Sequence, residues 1–66
     1  MAPNPYSQFK NRVIKTVYFP NGNHWEGSKC TITFEDGFVY STISDTAYGI
    51  ASYLKMSQSD MKKVGL

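Results

Sequence analysis

The sequence predicts an α+β domain: a three-stranded antiparallel β-meander followed by two short C-terminal helices packed on one face. Three observations predict it. Two turn signals, Pro20-Asn21-Gly22 and Asp36-Gly37, divide residues 10–43 into three stretches rich in β-branched and aromatic side chains. After Ile43 the pattern changes to a helical stripe, with Ala47, Ile50, Ala51 and Leu54 at i, i+3, i+4 and i+7. Ser57 and Asp60 then stand at capping-box spacing before a last short run that Gly65 can close.

Residues 1–9 carry two prolines, Asn4 and Ser7, and read as a flexible N-terminal arm ahead of a single domain over 10–66. The first strand holds Val13, Ile14, Thr16, Val17, Tyr18 and Phe19 and stops at the Asn21-Gly22 turn. The second runs roughly from His24 to Phe34, with Cys30, Ile32 and Phe34 on one side and Thr31 and Thr33 on the other, since strand side chains alternate. Gly27 interrupts it and is read as a bulge that flips parity and brings Trp25 to the side of Cys30.

The third strand spans roughly Phe38 to Ile43, and the loop before it allows two registers. A two-residue Asp36-Gly37 turn sends Phe38 and Tyr40 to the threonine side. A three-residue loop with Gly37 left-handed puts both on the apolar side and gives the cleaner face. The expected core is then Ile14, Tyr18, Trp25, Cys30, Ile32, Phe34, Phe38 and Tyr40. The opposite face, with Val13, Lys15, Val17, Phe19, Thr31, Thr33, Val39, Ser41 and Ile43, is semi-apolar, and two short helices cannot cover both sides. In the helical part, Ser44 or Asp45 can cap the first helix. Gly49 inside it costs about 1 kcal/mol relative to alanine. Met56 and Met61 flank the second cap as a hydrophobic staple.

Composition narrows the function classes. In 66 residues there is one cysteine, Cys30, and one histidine, His24. An intrachain disulfide or a four-ligand Cys/His zinc site is therefore out of reach within one chain, and no cofactor is expected. A chain this short buries only about 60% of the surface its unfolded form exposes, so self-association is the remaining way to add burial. Seven Lys/Arg against five Asp/Glu give a net charge of +2, too mild and too spread to argue for nucleic acid alone. No apolar run approaches membrane-spanning length, and Met1-Ala2-Pro3-Asn4-Pro5 lacks the regions of a signal peptide. No membrane partner and a cytoplasmic location are the expectation.

Catalysis finds little support. Cys30 alternates with Ile32 and Phe34 on the buried side of a strand, where a thiol behaves as a small hydrophobe, so a Cys30–His24 dyad is unpersuasive. Glu35 and Asp36 belong to a turn, and Asp45 and Asp60 to helix starts. The expectation is a protein that is not an enzyme.

Binding is the better reading. Five Tyr, four Phe and Trp25 exceed what a thin core can cover. The semi-apolar face and the first turn supply the candidate partner-binding residues: Val13, Lys15, Val17, Phe19, Asn23, His24 and Val39. The lead expectation is a small regulator or inhibitor that captures a protein partner stoichiometrically, self-associates as a homo-oligomer, or holds a small anionic ligand between subunits. In length and aromatic content the chain resembles phage-encoded inhibitors. On this reading Val17→Asp dissociates an oligomer without unfolding the monomer.

The alternative lies in the C-terminus. Residues 47–66 resemble the helix-turn-helix DNA-binding unit, with Ile50, Ala51, Leu54, Met56, Met61 and Val64 at its packed positions. The resemblance implies a DNA-binding regulator whose second helix offers Ser57, Gln58, Lys62 and Lys63 to a groove. It departs from that unit at Lys55, which stands where the turn commonly has glycine, and in a second helix of barely two turns.

Overall fold

The computed structural model describes residues 5–22 and 27–66. Strands β1 (Ile14–Tyr18), β2 (Lys29–Phe34) and β3 (Val39–Ile43) form one antiparallel sheet in the order β1-β2-β3. Helices α1 (Ser44–Tyr53) and α2 (Gln58–Val64) follow and pack against it. The predicted fold is the observed one.

The β2–β3 hairpin takes the three-residue loop. The Phe34 N–H donates to the Phe38 carbonyl at 2.8 Å, the Gly37 N–H donates to the Phe34 carbonyl at 3.0 Å, and Gly37 is left-handed at φ 95°. The Asp36 carboxylate steadies the turn by accepting from the Phe38 N–H at 3.0 Å. Ile32 then pairs with Tyr40 and Thr33 with Val39. Phe38 and Tyr40 accordingly lie half-buried against the core rather than in solvent.

The first strand departs from expectation. Ile14 pairs with Phe34 but Thr16 pairs with Thr33, so Lys15 is an extra residue in β1. The bulge is there and not at Gly27, which precedes β2. One inserted residue reverses the parity of everything after it. Ile14, Val17 and Phe19 therefore share the buried side, while Tyr18, expected in the core, is 64% exposed. Trp25 lies outside the described residues. Among the described residues β2 begins at Lys29. The Asn21-Gly22 signal survives as a turn in which the Gly22 N–H donates to the Phe19 carbonyl at 2.9 Å.

Residues 5–9, read as part of a loose arm, fold onto the sheet. Ser7–Phe9 form a 3-10 turn and Phe9 is 1% exposed. Its ring stacks on Phe34 at 5.4 Å between centroids and meets Tyr40 edge-on at 5.0 Å, so it sits at the centre of the aromatic core. Tyr6 packs beside Tyr53 and against Gly49, where a β-carbon would overlap its hydroxyl. That close approach accounts for a glycine inside α1 despite its cost in helix propensity.

Ala47, Ile50 and Ala51 of α1 are buried and Leu54 is partly so, as the stripe requires. The helix starts without a side-chain cap. Ile43 occupies that position, and Ser44, one of the two residues expected to cap, is the first helical residue. Its hydroxyl accepts from the Gly27 N–H at 3.1 Å. The α1 terminus is closed by Met56 N–H to Ala51 carbonyl and Lys55 N–H to Ser52 carbonyl bonds, both 3.0 Å, with Lys55 left-handed at φ 59°. This is a Schellman ending that ordinarily uses glycine. Lys55→Gly is accordingly expected to stabilise the fold by about 0.5–1 kcal/mol. An unchanged or lowered urea midpoint would contradict this.

In α2 the Ser57 hydroxyl accepts from the Asp60 N–H at 3.1 Å, and Gly65 ends the helix at φ 113°. Both follow the sequence signals. Gly65 also rests on the outer edge of β1, where any β-carbon would overlap the Val17 carbonyl oxygen. The Thr16 hydroxyl donates to the Val64 carbonyl at 3.4 Å beside it. The C-terminal turn thus covers the β1 edge.

Candidate functional site

With both helices on the Phe34 side, the other face of the sheet has no element over it among the described residues. Pairing builds it in cross-strand rows: Tyr18–Thr31–Ser41, Thr16–Thr33–Val39 and Lys29–Ile43. Small hydroxyl side chains fill the middle, and large side chains stand around them. Val39 is 55% and Ile43 40% exposed, with Tyr18 at the far strand. Beyond Ile43, a shallow hollow of about 400 Å³ runs over Pro20, Lys29, Thr31 and Ser41. The surface is amphipathic, with Lys29 the charged side chain in its paired rows.

The residues proposed for partner binding separate accordingly. Val39 is on the open face and Lys15 is exposed at the β1 bulge, whereas Val13, also exposed, borders the cleft lined by Leu54, Met56 and Val64. Val17 and Phe19 are not available: at 5% and 6% exposure they are core, turned inward by the bulge at Lys15. Asn23 and His24 lie outside the described residues. The paired rows also place Tyr18, Thr31, Ser41 and Ile43 on the open face, and none of these is among the expected partner-binding residues. The signal for Tyr18 lay in the spacing Ile14, Val17, Phe19, three strongly apolar residues that a strand can bury together only by inserting one residue.

The nucleic-acid candidates divide between two flanks of α2. Gln58 and Lys62 border a hollow with Tyr48 and Ser52, whereas Lys63 borders a different cleft with Asp60 and Arg12. All of Ser57, Gln58, Lys62 and Lys63 are exposed, but adjacent lysines about 100° apart on a helix do not form one stripe. Asp60, a carboxylate, lines the same cleft as Lys63. Arg12 is already engaged. It pairs with Asp36, donates to the Gln8 carbonyl at 3.1 Å and lies over the Phe38 ring at 4.3 Å.

Cys30 is buried between the sheet and α1, and burial pushes its thiol up from the ordinary value. The neutral thiol is a poor nucleophile. Among the described residues no three His, Cys, Asp or Glu side chains stand close enough to hold a metal ion. No helix among them is long and apolar enough to cross a membrane.

Fold and surface together define an α+β domain with one covered and one open sheet face. No family model matches the chain, and no curated protein or solved structure does either.

Proposed function

We propose that the protein is a non-catalytic binding protein that occupies a partner protein's surface through the open face of its sheet, as a small regulator or inhibitor of the phage-encoded type. One observation carries the reading. Tyr18, Val39 and Ile43 leave large apolar area in water on a sheet face that no helix covers among the described residues. Burial of apolar surface yields about 25 cal/mol per Å², so covering this face is a source of binding energy that the isolated chain leaves unused. Its threonine and serine hydroxyls fix orientation at the centre of such a contact.

The test is photo-crosslinking in the cells that make the protein. A benzophenone side chain at Val39 or Tyr18 is expected to trap one protein at fixed stoichiometry, and Ile43→Asp in the same chain to abolish the product. The same probe at Ser59 on α2 is expected to trap none. Crosslinks from Ser59 with none from the sheet would overturn the reading.

A second reading, DNA binding by α1 and α2, is favoured by Lys55, which adopts the left-handed conformation that glycine supplies in the helix-turn-helix turn. It demands binding to a mixed-sequence duplex that falls steeply with salt and is lost in the Lys62→Glu/Lys63→Glu variant, which fluorescence anisotropy reads directly.

A further inference from the structure

The two edges of the sheet are treated differently. At β1, Lys15 brings a charge and a bulge, and Gly65 covers the strand from outside. These are devices by which proteins keep edge strands from pairing. β3 has none of them: Val39-Tyr40-Ser41-Thr42-Ile43 carries no charge, proline or glycine. The hydrogen-bond pattern fixes which of its groups are free. Phe34 and Phe38 form a bonded pair, and bonded and non-bonded pairs alternate along an antiparallel ladder. Tyr40 and Thr42 therefore bond to β2, while Val39, Ser41 and Ile43 turn their N–H groups, and Val39 and Ser41 their carbonyls, outward. No turn, loop or side-chain hydrogen bond reaches these outward groups among the described residues.

We propose that β3 is the pairing edge for a second copy of this chain, joined antiparallel about a two-fold axis at Ser41 into a continuous six-stranded sheet. This rests on the binding-protein reading and names one partner for it. The strand is self-complementary in that register. Ser41 faces Ser41 and Val39 faces Ile43, so the outward groups can form about four hydrogen bonds without a slip. Ile43 keeps extended backbone, at φ −116° and ψ 164°, up to the start of α1. Phe38 comes opposite Ser44 of the second copy, where α1 begins and the ladder ends. A five-residue ladder buries less than the roughly 1,600 Å² of a standard interface, so association is expected to show only at high protein concentration.

Sedimentation equilibrium up to about 1 mM, with amide exchange followed by NMR at low and high concentration, tests the proposal. The expected result is a monomer–dimer equilibrium in which the Val39, Ser41 and Ile43 amides gain at least about tenfold protection as the dimer forms. Ser41→Lys and Ser41→Glu are each expected to be folded monomers, because the axis sets like charges side by side. Their equimolar mixture is expected to recover the dimer. Tyr18→Lys, on the open face two strands away, is expected to pair as the wild type does.

A wild type monomeric at about 1 mM, or a dimer that survives Ser41→Lys, would overturn the edge proposal. A dimer abolished by Tyr18→Lys would overturn it too, while leaving the open face as the binding surface. Edge pairing with no crosslinks from Tyr18, and with Val39 trapping only a second copy, would do the reverse, sinking the face and keeping the edge.

Discussion

Replacing Val17 by aspartate is expected to unfold the protein at neutral pH, not to free a monomer from an oligomer. The side chain is 5% exposed and its cross-strand partner, Ile32, is wholly buried. An unpaired carboxylate there costs several kcal/mol, against the roughly 3–5 kcal/mol that a core of this size supplies. Far-UV circular dichroism is expected to show lost structure at pH 7. The difference from wild type should narrow toward pH 4. A carboxyl whose folded pKa is raised above its unfolded value of about 3.9 destabilises least where both forms are protonated, and most above the raised value. Val39→Asp is the matched control. It makes the same change on the same sheet with the side chain in water, and its cost is expected to stay within about 1 kcal/mol. Equal urea midpoints for the two variants would show that the β1 bulge is misplaced.

Phe9→Ala is expected to remove about 3–5 kcal/mol, the usual range for a buried phenylalanine, and so to leave little folded protein at 25 °C. Phe9 touches more of the aromatic cluster than its position near the N-terminus suggests. It stacks on Phe34, meets Tyr40 edge-on and lies 6.3 Å from Phe38. Each such pair adds about 0.5–1.5 kcal/mol beyond the area it buries. Urea unfolding read by fluorescence and near-ultraviolet dichroism measures the loss. Gln8→Ala, at an exposed neighbour, is expected to change little. A Phe9→Ala midpoint close to wild type would restore residues 5–9 to the status of an arm.

These two residues also mark where the sequence stops being legible. Local signals read well. Glu35-Asp36-Gly37 together with the parity of Phe34, Phe38 and Tyr40 specified the hairpin register. Ser57, Asp60 and Gly65 marked both ends of α2, and the Ala47–Ile50–Ala51 stripe marked the buried side of α1. Each depends on residues within one or two turns of one another. Phe9 fails that test, since its partners are 25 to 31 positions away and nothing in Pro5-Tyr6-Ser7-Gln8 says that the chain turns back. The bulge failed differently. Strict alternation over residues 13–19 is self-consistent, and only the size of Ile14, Val17 and Phe19 argues for the interrupted pattern. The face assignment inherited that error on β1, while Thr31, Thr33, Val39, Ser41 and Ile43 share the face expected of them, because the turn had already fixed the register.

The Gly65 turn against β1 has a consequence for the stoichiometry of assembly. A chain with two free sheet edges can add copies at both, and strand pairing then runs on without limit into a fibre. Gly65 lies against the Val17 carbonyl at the β1 edge, where no residue with a β-carbon fits. If β3 pairs with a second copy as proposed, a two-fold contact there uses the uncovered edge in both partners, and growth is expected to end at two. On that proposal the left-handed glycine that lets the backbone lie so close to Val17 separates a closed pair from an open filament.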